Sequence, residues 1–166
     1  MTRIAVNGAA GRMGETVIET AADREDLEVV VGFDIEAGEV DGVPVVADDV
    51  ADTLTEYDVD VVVDFSIPES TLPLARACVE AGAGLVVGTT GFSEDGLEDL
   101  VAASTSIPLL KATNFSRGIQ VLQRTVREAV RALDDYDLEL MESHHNGKVD
   151  APSGTAKTLL EVVQEE

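Results

Sequence analysis

Arg3-Ile4-Ala5-Val6-Asn7-Gly8-Ala9-Ala10-Gly11-Arg12-Met13-Gly14 is the stretch that decides the fold. Its apolar run, Ile4 to Val6, has the character of a strand covered on both faces, as in a parallel sheet. The run stops at Asn7, and glycines follow at 8, 11 and 14. Gly8 allows a tight turn, Gly11 lets the backbone come close to a ligand, and Gly14 lets a helix pack closely on the strand. A helix over Met13–Ala22 would then turn its free N–H groups and positive dipole toward whatever lies beyond the strand end.

Working outward, strands and helices alternate. Strands are expected at Arg3–Asn7, Leu27–Phe33, Val43–Val46, Val59–Phe65, Gly84–Val87 and Ile107–Lys111. Helices are expected at Met13–Ala22, Asp48–Leu54, Pro68–Ala81 and Glu94–Ser104, the third opened by a proline and closed by Gly82. This order predicts an α/β fold with a Rossmann-like, doubly wound parallel sheet over residues 1–113.

Asn114–Gly118 reads as a hinge into a second domain, residues 114–166. Its long helix carries Ile119, Leu122, Val126, Ala129, Val130 and Leu133 on one face, and Arg124, Arg127 and Arg131 on another. Those arginines suit a solvated face with local ion pairs. Leu138–His144 alternates as a strand, and Ser153 precedes a final helix. One strand makes no sheet, so this second region reads as a partial α+β substrate and oligomerisation domain.

Asp34 gives the glycine turn a partner. It ends the second strand, 20 residues after Gly14, where dinucleotide folds place an acid on the adenosine ribose. A plain glycine turn and one more surface acid among 33 is the alternative reading. An acid here favours NADH, because it repels a 2′-phosphate. Ile35 offers no cation beside it, while Arg12 leaves NADPH open. Two more strand ends carry polar or glycine motifs, Asp64-Phe65-Ser66 and Gly88-Thr89-Thr90-Gly91, and ligands of such sheets sit beyond the carboxyl ends of the strands.

The charge is −22, from 33 acidic and 11 basic residues spread along the chain. Phosphate would be repelled, which argues against nucleic acid as a partner. An acidic, lysine-poor surface fits work in concentrated salt, where self-repulsion is screened. Hydrophobic content of 45% argues against a disordered acidic segment. The single cysteine, Cys78, lies beside Ala75 and Val79 and reads as a small core residue, so neither a disulfide nor a cysteine-rich zinc site is expected. The N-terminal apolar run is too short for a secretory leader, and no run approaches a membrane span. The expected compartment is the cytoplasm.

Glu142-Ser143-His144-His145-Asn146-Gly147-Lys148-Val149-Asp150-Ala151-Pro152-Ser153-Gly154-Thr155-Ala156-Lys157 holds both histidines and two of the three lysines. Adjacent histidines lack the helical spacing of a metal pair, so no metal is expected, whereas proton transfer suits them. The Asn146-Gly147 turn returns Lys148 toward them. Ser153, Gly154 and Thr155 open a helix whose N–H groups suit a carboxylate. Taken singly, Ser153 is only a helix cap and Lys148 only a surface charge.

The H-H-x-x-K-x-D-A-P-S-G-T-A pattern, with the G-x-x-G-R-M-G turn, resembles the 4-hydroxy-tetrahydrodipicolinate reductase (dihydrodipicolinate reductase) family over nearly the whole chain. The resemblance implies NAD(P)H-dependent reduction of a small cyclic imine dicarboxylate on the diaminopimelate route to lysine. It implies His144 as proton donor, Lys148 as the essential cation, and His145, Ser153, Gly154 and Thr155 around the substrate. Gly8, Ala9, Ala10, Gly11, Arg12, Met13 and Asp34 would hold the cofactor. Gly88, Thr89 and Thr90 would lie near the nicotinamide and its ribose. Ala112, Thr113, Asn114 and Phe115 resemble the family's nicotinamide-side and hinge segment and would also contact the cofactor. Members assemble as tetramers through the second domain's sheet, most of which this chain lacks. The family is longer, so the alternative is a truncated, non-catalytic NAD-binding module. Other dehydrogenase classes fit worse: no Tyr-x-x-x-Lys occurs, since Val61 follows Tyr57 and Leu140 follows Tyr136 at that spacing.

Overall fold

The computed structural model describes residues 1–133, 136–144 and 151–165. They fall into two compact units, Met1–Lys111 and Ala112–Glu166. In the first, β1 (Thr2–Asn7) is central in a seven-stranded sheet. It pairs in parallel with β2 (Leu27–Phe33) on one side and β5 (Val61–Asp64) on the other. Beyond β2 come β4 (Val43–Val46) and the edge strand β3 (Gly38–Val40); beyond β5 come β6 (Gly84–Val87) and β7 (Leu109–Lys111). The chain thus winds outward from β1 in both directions, and the winding reverses between β1 and β5.

Ile4, Ala5 and Val6 are all buried, as a strand covered on both faces requires. Adjacent residues point to opposite faces, and two core clusters reflect this. Val6 joins Val43, Val45 and Ile18 of α1 (Arg12–Ala22). Ala5 joins Val31, Phe33, Val62 and Leu85 under α2 (Val50–Glu56), α3 (Pro68–Ala81) and α4 (Glu94–Ser104).

The α3 helix starts on Pro68 and ends on Gly82, whose φ of 72° is the left-handed cap conformation. Ser93 caps α4 by accepting the Gly96 N–H at 3.2 Å, and Glu94 and Asp95 complement the positive helix end.

Two departures from the expected elements are instructive. Val59 and Ile107 are buried yet lie outside β5 and β7. Apolar pattern reports burial, and the hydrogen-bonded ladder is shorter. Strand β3 was not expected. It forms an antiparallel hairpin with β4 through Asp41-Gly42, both at positive φ. Asp-Gly between Val40 and Val43 is a hairpin signal that was legible.

In the second unit, α5 (Arg117–Ala132) and α6 (Gly154–Gln164) are the regular elements among the described residues. The predicted apolar stripe on α5 is only half covered: Ile119, Val126 and Val130 are partly buried, whereas Leu122 and Leu133 are exposed. Arg127 bonds Glu165 beyond α6 at 3.0 Å, and Arg131 pairs with Glu128. The strand expected at Leu138–His144 is not formed; Leu138, Leu140 and Met141 are exposed. An isolated strand has no neighbouring backbone to satisfy its N–H and C=O groups, so alternation alone does not make one. Among the described residues, no helix is long and apolar enough to cross a membrane.

Candidate nucleotide and substrate sites

The glycine turn after β1 is held from the β2 side. Gly8 N–H and Ala9 N–H both donate to Phe33 O, at 2.9 and 3.1 Å. Gly8 has φ of +76°, and a Cβ there would lie 2.7 Å from Phe65 O. Ala10 N–H donates to Asp34 Oδ2 at 2.9 Å, and Ile35 N–H to Asp34 Oδ1 at 2.8 Å. Asp34 is therefore pinned across the turn by backbone, with carboxylate lone pairs left for ligand hydroxyls.

Gly11 precedes α1, and helix geometry leaves the N–H groups of Arg12, Met13 and Gly14 without an intrahelical acceptor. Arg12 and Met13 are exposed there. Gly14 is buried against the turn: a Cβ would overlap Gly8 O and reach 2.7 Å from Ala9 Cα. Gly8 and Gly14 are thus required by the turn and by the packing of α1 on it, and Ala9 is sealed in the core while Ala10 faces out.

A crevice of about 760 Å³ opens at these carboxyl ends, between Asp34, Ile35 and Glu36 on one side and Asn7, Ser66 and Ile67 on the other. Its size is that of a cofactor site, and it lies at the point where the winding reverses.

Behind the crevice lies a group that the motif Asp64-Phe65-Ser66 signalled without a role. Asp64 is fully buried. Its Oδ1 accepts Asn7 Nδ2 at 2.7 Å and Ser66 Oγ at 2.6 Å; its Oδ2 accepts Thr71 Oγ1 at 2.7 Å and Thr89 Oγ1 at 2.8 Å. Thr89, expected at the cofactor, is buried with its hydroxyl turned to Asp64, whereas Thr90 is exposed. Gly88 makes room for the Phe65 ring, which a Cβ would strike. An acid ending an otherwise all-valine strand was the available signal, because burial of a charge demands a donor set.

The second unit gathers several of the other expected residues. Thr113 Oγ1 lies 3.1 Å from Thr158 Oγ1 of α6. Asn114 Nδ2 donates to Thr155 Oγ1 at 3.0 Å, and its Oδ1 accepts the Ser116 N–H at 2.7 Å. Asn114 thereby fixes the start of α5 against the first turn of α6. Ala112 is partly buried and Phe115 exposed.

Ser153 is buried. Its Oγ accepts Ala156 N–H at 3.1 Å as the α6 cap and donates to Glu142 Oε2 at 2.6 Å, while its N–H donates to Glu142 Oε1 at 2.8 Å. Gly154 and Thr155 follow with N–H groups that helix geometry leaves open. His144 Nδ1 lies 3.6 Å from Glu142 Oε2, so Glu142 adjoins both the cap and the histidine. Glu142 carried no expected role. His145 and Lys148 lie outside the described residues.

A doubly wound sheet with a glycine turn and an opposed acid at its reversal point defines a Rossmann-type nucleotide-binding architecture. Solved structures repeat it: a myo-inositol dehydrogenase from Lactobacillus casei in complex with NAD(H) matches with a TM-score of 0.60 at 16% identity, over 78% of this chain and 42% of that one, which is a likeness of fold alone.

Nearer relatives are more particular. Residues 2–115 match the profile of "Dihydrodipicolinate reductase, N-terminus" and residues 118–166 that of "Dihydrodipicolinate reductase, C-terminus". A 4-hydroxy-tetrahydrodipicolinate reductase of Haloarcula marismortui is 65% identical over all of this chain and 66% of its own length. One of Stenotrophomonas maltophilia strain R551-3 is 46% identical over 95% of this chain and 66% of its own. A dipicolinate-bound dihydrodipicolinate reductase from Paenisporosarcina sp. TG-14 superposes with a TM-score of 0.82 at 26% identity, covering 99% of this chain and 66% of that one. The chain belongs to the dihydrodipicolinate reductase family, and spans 66% of the length of these relatives.

Proposed function

We propose that this chain is the cofactor- and proton-donor-bearing portion of an NAD(P)H-dependent 4-hydroxy-tetrahydrodipicolinate reductase of the diaminopimelate route to lysine. The carrying observation is that both profiles of the family match in consecutive order, one over residues 2–115, which include the nucleotide crevice, and one over residues 118–166, which include the His144–Thr155 segment. A bound nicotinamide supplies the hydride. The Gly8–Met13 turn and the α1 N-terminus receive its pyrophosphate, and Asp34 its adenosine ribose. Thr90 and the Gly88 backbone flank the nicotinamide, with Thr89 acting from behind through its hydrogen bonds. The Ala112–Phe115 segment is the further candidate for cofactor contact.

The cofactor is NADH in preference to NADPH. Asp34 and Glu36 line the crevice with Ile35 between them, so a 2′-phosphate would meet negative charge.

The substrate is a small dicarboxylate, in keeping with the dipicolinate bound by the Paenisporosarcina relative. Gly154 and Thr155 N–H groups receive one carboxylate, with Ser153 shaping the turn, and His145 and Lys148 hold the dianion. His144 gives the proton to the carbon beside the reduced centre. Glu142, near His144 Nδ1, orients the ring.

The test is loss of NADH absorbance by the purified chain in concentrated KCl, with substrate generated in situ by the preceding synthase. His144→Ala and Lys148→Ala should each lower turnover at least about 100-fold with NADH affinity within about twofold. Equal losses of turnover and NADH affinity would refute the assigned roles. The 66% span favours one second reading, a nucleotide-binding part that turns over only with the remaining third; NADH bound without turnover would support it.

A further inference from the structure

We propose that Asp64 is a positioning residue of the nucleotide site: a solvent-sealed, ionised carboxylate that sets the spacing of the β5 and β6 loops on the nicotinamide side of the crevice. The inference rests on the dinucleotide reading and gives it a residue that no site motif assigned.

The ionised state follows from the donor set. Ser66 Oγ accepts from Asn7 Nδ2 at 2.9 Å, so its own proton is free to point at Asp64 Oδ1, where the contact is 2.6 Å. That length is in the charge-assisted range for a hydroxyl on a carboxylate. Thr89 Oγ1 accepts the Ser66 N–H at 2.9 Å, so its proton goes to Asp64 Oδ2. Thr71 supplies another hydroxyl at 2.7 Å. Every one of these partners is neutral. A buried carboxylate held by dipoles alone is a costly arrangement, and a neutral side chain would be the cheaper way to fill the space.

What the charge achieves is connection. Its donors come from four places: the end of β1 (Asn7), the loop after β5 (Ser66), the first turn of α3 (Thr71) and the loop after β6 (Thr89). Asn7 and Ser66 also line the crevice. The glycine turn is also held from the other side, by Phe33 O and Asp34, which take no part in the Asp64 cluster. Losing the charge should therefore loosen the β5 and β6 loops and leave the pyrophosphate end in place.

This separation supplies the test. In Asp64→Asn, one carboxylate oxygen becomes an NH₂ that faces hydroxyl donors, so the loops must rearrange while volume is kept. Dissociation constants for NADH and for ADP-ribose, which lacks the nicotinamide, would be measured on the full 166-residue chain, NADH by its fluorescence and ADP-ribose by displacement of it. Thermal unfolding would be followed alongside. The expected result is NADH binding weakened about tenfold with ADP-ribose within about twofold. Parallel weakening of both would show a merely structural role and overturn the proposal, as would unchanged NADH binding. If Asp64→Asn does not fold, Thr89→Val and Ser66→Ala replace it; each should weaken NADH at least about threefold more than ADP-ribose, and parallel effects overturn the proposal. Failure of the unaltered chain to bind either nucleotide would instead sink the dinucleotide reading, and this inference with it.

Discussion

Asp34 shows how one side chain's surroundings set its use. Two backbone N–H groups fix its carboxylate over the glycine turn, so on the proposed reading it would meet a ribose without rearranging. Asp34→Ala should weaken NADH binding by roughly 1.5–3 kcal/mol, the range for hydrogen bonds to a charged group, and NADPH binding by much less. Titration of both nucleotides would check this, and an equal loss for both would separate Asp34 from the 2′ position. Cys78 illustrates the opposite case. Burial, and then the charge of Asp64, push its thiol from 9.0 up to about 12. Folding therefore favours the neutral thiol. That contribution to stability is complete below about pH 9 and is lost as pH rises toward about 12. Denaturant titrations across this alkaline window should show stability falling, and Cys78→Ala should flatten the slope; an unchanged slope would mean other groups dominate.

At the scale of elements, small residues decide how closely α1 approaches β1. A methyl at Gly14 would overlap Gly8 O, so Gly14→Ala should cost about 1–3 kcal/mol or more. Gly11→Ala meets only Gly8 O, at 3.2 Å, in an ordinary extended conformation, and should be nearly neutral for folding. Chemical denaturation of the pair distinguishes them; equal effects would mean the turn moves as a whole. The α6 helix depends on Ser153, which both caps it and receives the Glu142 carboxylate. Ser153→Ala should cost about 1 kcal/mol for the cap alone, and more where Glu142 loses its partner. Helical circular dichroism during thermal unfolding would register this.

For the whole molecule, 33 acids against 11 bases impose self-repulsion that added ions screen. The Debye length falls from about 10 Å at 0.1 M to about 3 Å at 1 M salt. The unfolding temperature should accordingly rise between these concentrations of KCl. A flat or falling profile would mean the surface charges are already compensated locally, as the Arg3–Glu28 and Arg76–Asp99 pairs are.

Much of the first unit was legible because period and punctuation agree there. Leu27–Phe33, Pro68–Ala81, Gly84–Val87 and Glu94–Ser104 form as expected from apolar runs bounded by proline, glycine or a serine cap. The glycine turn was equally readable, since positive φ at Gly8 and close approach at Gly14 leave few residue choices. The sequence by itself therefore determined the α/β order, the place of the crevice and the family resemblance. Tertiary structure alone decided the partners of buried polar groups: that Asp64 gathers Asn7, Ser66, Thr71 and Thr89, that Thr89 turns inward, and that Glu142 seats Ser153. It also decided that residues 138–144 do not form a strand. Local pattern specifies which face a side chain takes. Hydrogen-bond satisfaction and strand pairing depend on groups far apart in the chain, and only folding brings those together.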